Sequence, residues 1–137
     1  MKRLSFILVF SLIALLSMAQ AKYVFFFIGD GMGAHQVLST EMYLAELEGR
    51  IGRKSLLMTT FPYTGQVATF SASNGIPDSA ASGTCLASGK KTDNGMIGQT
   101  PDGTPAISVA SRLKQQGWGV GIMTTVTIDH ATPSAHY

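Results

Sequence analysis

Tyr23-Val24-Phe25-Phe26-Phe27-Ile28-Gly29-Asp30-Gly31-Met32-Gly33 is the stretch that decides the fold class. Six consecutive apolar residues, aromatic and β-branched, stop at a glycine. The two-residue alternation of a half-exposed strand is absent. The run therefore reads as a strand buried on both faces, as in a parallel sheet under helices. Gly29 to Gly33 makes a turn. Ala34 to Glu48 then reads as a helix, with Val37, Leu38, Leu44 and Leu47 apolar and Gly49 as its stop.

Further along, the polar and basic stretch Arg50 to Lys54 reads as a surface connection, and Gly65 to Phe70 as a short strand. Ser71 to Pro77 is a loop rich in serine, asparagine and glycine. Ser79 to Ser88 holds small residues apart from Leu86, with Gly89 at its end, and reads as a helix packed closely on its neighbours. Thr104 and Pro105 read as an N-cap and first-turn pair, opening a helix that ends at Gly117. Trp118 to Thr125 is a second buried strand, and Thr127 to Tyr137 begins a loop or helix. Strand, helix, strand, helix, strand predicts an α/β fold: a largely parallel sheet flanked by helices.

The N-terminus has a separate character. Lys2 and Arg3 precede an apolar run from Leu4 to Leu16, and Ala19-Gln20-Ala21 offers small residues around a cleavage point. Residues 1–21 read as a secretory signal peptide, because the run is shorter than the ~20 residues needed to span a bilayer. Of 10 Lys+Arg, two leave with the signal, which leaves 8 against 8 Asp+Glu and a mature net charge of zero. That balance, with no basic run interleaved with aromatics, argues against a nucleic-acid partner. The single cysteine, Cys85, excludes an internal disulfide and reads as a small buried apolar residue.

Three places carry candidate chemistry. Asp30 sits past the carboxyl end of the first strand, between glycines, where an open α/β sheet binds ligands. There it serves equally as a cation ligand or as an Asx-turn cap. Ser79 follows Pro77-Asp78 at a helix start, where free N–H groups favour an anion. Without further support it reads as a plain helix cap. His130 and Thr132 follow the last strand and gain weight only because they should reach the same sheet edge; His35 and His136 have no such support and read as helix-face residues. Gly29-Asp30-Gly31-Met32-Gly33-Ala34 also matches the G-x-G-x-x-A dinucleotide fingerprint, but the acidic residue expected after the next strand is missing.

Four stretches together resemble the alkaline phosphatase family: Phe27 to Gly33, Pro77 to Thr84, Gly89 to Gly98 and Thr125 to Tyr137, in family order. The resemblance implies that Ser79 is the nucleophile, transiently phosphorylated, and that Asp78 organises the phosphate-binding side beside it. It implies that Asp30 is shared between one zinc and the magnesium, that Thr132 is a magnesium ligand, and that His130 lies near or on that metal. The implied cofactors are two zinc ions and one magnesium, and the implied substrates are small phosphomonoesters. No membrane partner is expected after signal cleavage, and a homodimer is left open for the full-length protein. The domain reading is a signal peptide over 1–21 and the N-terminal part of a phosphatase domain over 22–137. The later metal ligands and the phosphate-clamp arginine of the family are missing, so this length alone is expected to be inactive. A non-catalytic anion- or metal-binding remnant is the alternative, with a nucleotide-binding oxidoreductase domain third.

Export to the periplasm or the medium, with cleavage after Ala21, is the directly testable part. N-terminal sequencing of the exported protein should read Lys22-Tyr23-Val24, and an intact Met1 in a membrane fraction would refute it.

Overall fold

In a computed structural model that describes residues 21–137, the turn at Gly29–Met32 leads straight into helix α1, Ala34–Leu47. Met32 N–H donates to Gly29 C=O at 3.1 Å, and Gly31 takes the left-handed φ of 68° that the turn requires. Gln36 reaches back to accept the Gly33 N–H at 3.1 Å, satisfying a donor at the helix start. The helix ends as expected: Glu48 is its cap and Gly49 turns left-handed at φ 67°. Residues 1–20 of the expected signal peptide lie outside the described residues. Among the described residues no helix is long and apolar enough to cross a membrane.

Helix α2, Ser79–Ser88, is the centre of the packing. Its small side chains Ala80, Ala81, Thr84 and Ala87 are buried, as is Gly83. Gly89 closes it at φ 73°. Helix α3, Val109–Gln115, and the single-turn helix α4, Ala131–Ser134, both pack on α2. A Cβ at Gly83 would lie 3.2 Å from the Ala135 Cβ and 3.5 Å from the Thr132 Cα. That approach leaves almost no room for a side chain, so the expectation of a close-packed small-residue helix corresponds to a real backbone contact.

Helix α3 starts later than its sequence suggests. Ser108, not Thr104, is the N-cap, and its Oγ accepts the Ser111 N–H at 3.0 Å. Thr104 is held in a tight hairpin instead. Gln99 bridges to Pro105, Thr100 N–H donates to Thr104 C=O at 2.8 Å, and the Asp102 carboxylate accepts Thr104 N–H at 3.0 Å. A backbone held in that hairpin cannot also open a helix.

The three segments expected as strands, 23–28, 65–70 and 118–125, carry no ladder among the described residues. A strand exists only through a neighbouring strand's N–H and C=O groups, and among the described residues no strand pairs with these segments. Their apolar side chains are correspondingly open: Phe25 is 80% and Phe27 88% exposed.

One acidic side chain is buried. Glu41, 2% exposed on α1, accepts the Thr59 hydroxyl at 2.5 Å and the Leu56 N–H at 3.0 Å, with Arg53 at 3.6 Å. It thereby docks the 3₁₀ turn Leu57–Thr60 onto α1. The Thr59 hydroxyl, then the Leu56 N–H and the Arg53 charge, hold its carboxyl below the ordinary value of 4.5. A carboxyl lowered in the folded state adds stability above its unfolded pKa and loses it as pH falls through the folded one. Hydrogen-exchange protection of the Leu56 amide should therefore decline as pH falls below 4.5. In Glu41→Gln the protection should be weaker and independent of pH; a pH-independent wild type would contradict the assignment.

Candidate active site

The Gly29–Met32 turn holds Asp30 clear of the apolar run, and glycines on both sides leave its carboxylate open. Two hydroxyls from distant parts of the chain converge on it. Ser79 Oγ donates at 3.0 Å to Oδ1 and 2.9 Å to Oδ2, and Thr132 Oγ1 donates at 2.9 Å to Oδ2. The turn before α1, the first residue of α2 and the single turn of α4 thus meet at one carboxylate. These are charge-assisted hydrogen bonds, stronger than neutral ones.

Asp78 makes the start of α2. Its Oδ1 accepts the Ala81 N–H at 2.8 Å and its Oδ2 the Gly95 N–H at 2.6 Å. The carboxylate is occupied with its own chain rather than turned to the Asp30 cluster. Ser79 and Ala80 N–H have no acceptor among the described residues. They are the free donors of the first turn and lie beside the Ser79 hydroxyl, an arrangement suited to an anion.

His130 is the residue before α4, and its side chain forms no cap. Its ring makes no hydrogen bond within the described residues. Beside it, the Thr127 hydroxyl holds the Asp129 carboxyl below the usual range. His35 lies exposed on α1, as read from sequence. His136 does not: it sits in the turn after α4, half-buried, with Nδ1 2.9 Å from the Thr132 carbonyl. Cys85 is half-buried and unpaired.

Sequence reasoning missed the clasp around Asp78. Asn94 accepts the Asp78 N–H at 3.3 Å through Oδ1 and donates Nδ2 to the Ile76 carbonyl at 3.1 Å. Gly95 follows at φ 83° with its N–H on Asp78. The Asn94-Gly95 pair is a turn signal in the sequence; nothing local says which carboxylate the turn meets.

The donors gathered at Asp30 are one carboxylate and two hydroxyls. No group of three or more His, Cys, Asp or Glu side chains that could hold a metal occurs among the described residues. An all-oxygen set matches a hard cation such as magnesium in kind. Tetrahedral zinc takes four ligands, more than these three side chains supply.

Known proteins share this arrangement of segments. The family profile for alkaline phosphatase matches residues 21–137. The tissue-nonspecific alkaline phosphatase of Gallus gallus is 36% identical over 85% of this chain and 25% of its own length. The Homo sapiens isozyme is 34% identical over 85% of this chain and 24% of its own length. The crystal structure of a cold-active alkaline phosphatase from a psychrophilic Shewanella species superposes with a TM-score of 0.71 at 31% identity, over 80% of this chain and 27% of that one. The chain spans about a quarter of the length of the curated relatives it matches.

The Asp78 clasp predicts a measurable loss. Asp78→Ala should lower stability by about 1 kcal/mol or somewhat more, the usual effect of deleting an N-cap. It should also expose the Ala81 and Gly95 amides to faster exchange, while Asp78→Asn keeps an acceptor and most of the protection. Unchanged exchange at both amides in Asp78→Ala would show that the cap is not formed.

Proposed function

We propose that this chain, which belongs to the alkaline phosphatase family, carries the serine nucleophile and one metal-facing edge of an enzyme that hydrolyses phosphate monoesters. The observation that supports it most is the meeting of Asp30, Ser79 and Thr132 across 49 and 102 residues of sequence. A serine at a helix N-terminus is ordinarily a cap. Here Asp78 is the cap, which leaves the Ser79 hydroxyl available for other work.

In this reading the substrate phosphate lies over the free N–H groups of Ser79 and Ala80. The Asp30 carboxylate, which accepts the Ser79 hydroxyl, orients Oγ toward phosphorus. Oγ bonds to phosphorus as the ester P–O bond breaks, and the hydroxyl proton ends on the departing alcohol. Water then attacks the phosphoserine, restoring the Ser79 hydroxyl and releasing inorganic phosphate. Asp30, Thr132 and Ser79 would hold divalent metal, magnesium on Asp30 and Thr132 and zinc on Asp30 and Ser79, with His130 near the magnesium. When bound, such cations lower the pKa of the serine hydroxyl and offset charge on the leaving oxygen. The remaining zinc ligands and a group to clamp the phosphate belong to residues beyond these. We also propose that segments 23–28, 65–70 and 118–125 take parallel-sheet positions in the assembled fold, that the protein acts outside the cytoplasm, and that small phosphomonoesters are its substrates.

The test uses the protein expressed from its own gene. Phosphate labelling quenched in acid should trap phosphoserine in the wild type and none in Ser79→Ala. Hydrolysis of a chromogenic monoester should fall by on the order of a thousandfold or more, as when a nucleophile is deleted. Asp30→Asn should lose zinc and magnesium together by mass spectrometry, and Thr132→Val mainly magnesium. Label persisting in Ser79→Ala would place the nucleophile elsewhere.

A further inference from the structure

His136 stands out because, among the described residues, one of its ring nitrogens has a partner and the other has none. Nδ1 lies 2.9 Å from the Thr132 carbonyl. A carbonyl only accepts, so Nδ1 must carry a proton and donate it. Nε2 is buried and has no hydrogen-bond partner among the described residues. An imidazole free in water has water for both nitrogens, so this ring is held in place against the needs of one of them. The holding comes from three sides. Ser108, the cap of α3, donates its hydroxyl to the His136 carbonyl at 3.0 Å. The Phe26 ring lies tilted at 49° with its centroid 6.2 Å away. The Thr132 carbonyl completes the set.

Thr132 is therefore gripped at both ends. Its hydroxyl donates to Asp30 and its carbonyl accepts from His136. Helix α4 is a single turn, too short to be rigid through its own backbone bonds. Without the ring, the Thr132 carbonyl would keep no side-chain partner among the described residues. The site depends on where that one turn puts the Thr132 hydroxyl relative to Asp30 and, through Asp30, to Ser79.

We infer that His136 is a positioning residue: its Nδ1–H, fixed on the Thr132 carbonyl, sets the height of the Thr132 hydroxyl at Asp30. The inference rests on the phosphatase reading for its consequence, though not for its geometry. His136 touches no reacting atom and acts through Thr132 alone.

Two measurements test it. The first is the tautomer. Two-bond proton–nitrogen correlation on the protein expressed from its own gene, in mildly alkaline buffer, should find the His136 proton on Nδ1. A free imidazole prefers Nε2, and a proton on Nε2 alone would overturn the inference whatever the activity. The second is a matched pair of substitutions. An asparagine amide reaches the Nδ1 position, whereas a glutamine amide reaches the Nε2 position. His136→Asn should stay within about threefold of the wild-type kcat, while His136→Gln should lose roughly tenfold or more in kcat with KM little changed, as misplacement of a catalytic array predicts. A glutamine variant as active as the asparagine one would overturn the inference, because a merely structural role would not separate them. His136→Leu is unsuitable alone, since it could fail to fold. A wild type that forms no phosphoserine would count against the phosphatase reading, and the tautomer would still decide the His136–Thr132 contact.

Discussion

The close approach of helix α2 to residues 131–135 is the constraint on which the rest depends. The glycine at position 83, with alanines around it, lets the two backbones come this near: a Cβ there would sit 3.2 Å from the Ala135 Cβ, tighter than ordinary contact. Ser79 opens α2 and Thr132 lies in the segment it touches. Once α2 and α4 are in contact, both hydroxyls fall on the same side. Asp30 then meets them with one carboxylate. A larger side chain at position 83 would act as an overpacked core does, costing typically 1–3 kcal/mol. It would also move the site, because the same contact that packs the helices spaces the hydroxyls.

Polar bonds rather than apolar bulk hold this region. Thr84, buried on α2, donates its hydroxyl to the Met96 carbonyl at 3.3 Å and accepts the Gly98 N–H at 2.9 Å. Asp78 and Asn94 tie the start of α2 to the same 94–98 stretch. Small side chains bury little apolar area, so their packing alone stabilises weakly. The buried hydrogen bonds fix direction instead, since an unpaired polar group in their place would carry its full desolvation penalty. The result is a precisely oriented helix start on a modest core.

The apolar mass of the chain lies elsewhere. Tyr23 to Phe27, Val67 and Met123 are exposed, although their composition is that of sheet interiors. Apolar area in contact with water is unfavourable by roughly 25 cal/mol per Å². The alkaline-phosphatase-like fold to which the segments belong is several times longer than this chain.

Much of this was legible in the residues themselves. Helices α1 and α2 could be read almost to the residue, because small or helix-favouring side chains end at Gly49 and Gly89, which turn left-handed as only glycine does easily. Asp30, Ser79 and Thr132 could be singled out because three of the four ordered motifs carry them. The start of α3 could not: Thr104-Pro105 is a valid helix opening by local rules, and the Gln99–Pro105 hairpin overrides it through bonds between residues that local rules do not pair. Nor could the clasp of Asn94 on Asp78 or the role of His136. A histidine four residues after a threonine has no special meaning until a single helical turn brings its Nδ1 onto that threonine's carbonyl. Local sequence determines which backbone angles are easy and which side chains can do chemistry. Which of those side chains meet is decided by the tertiary structure, because hydrogen bonds depend on distances that chain neighbours do not control.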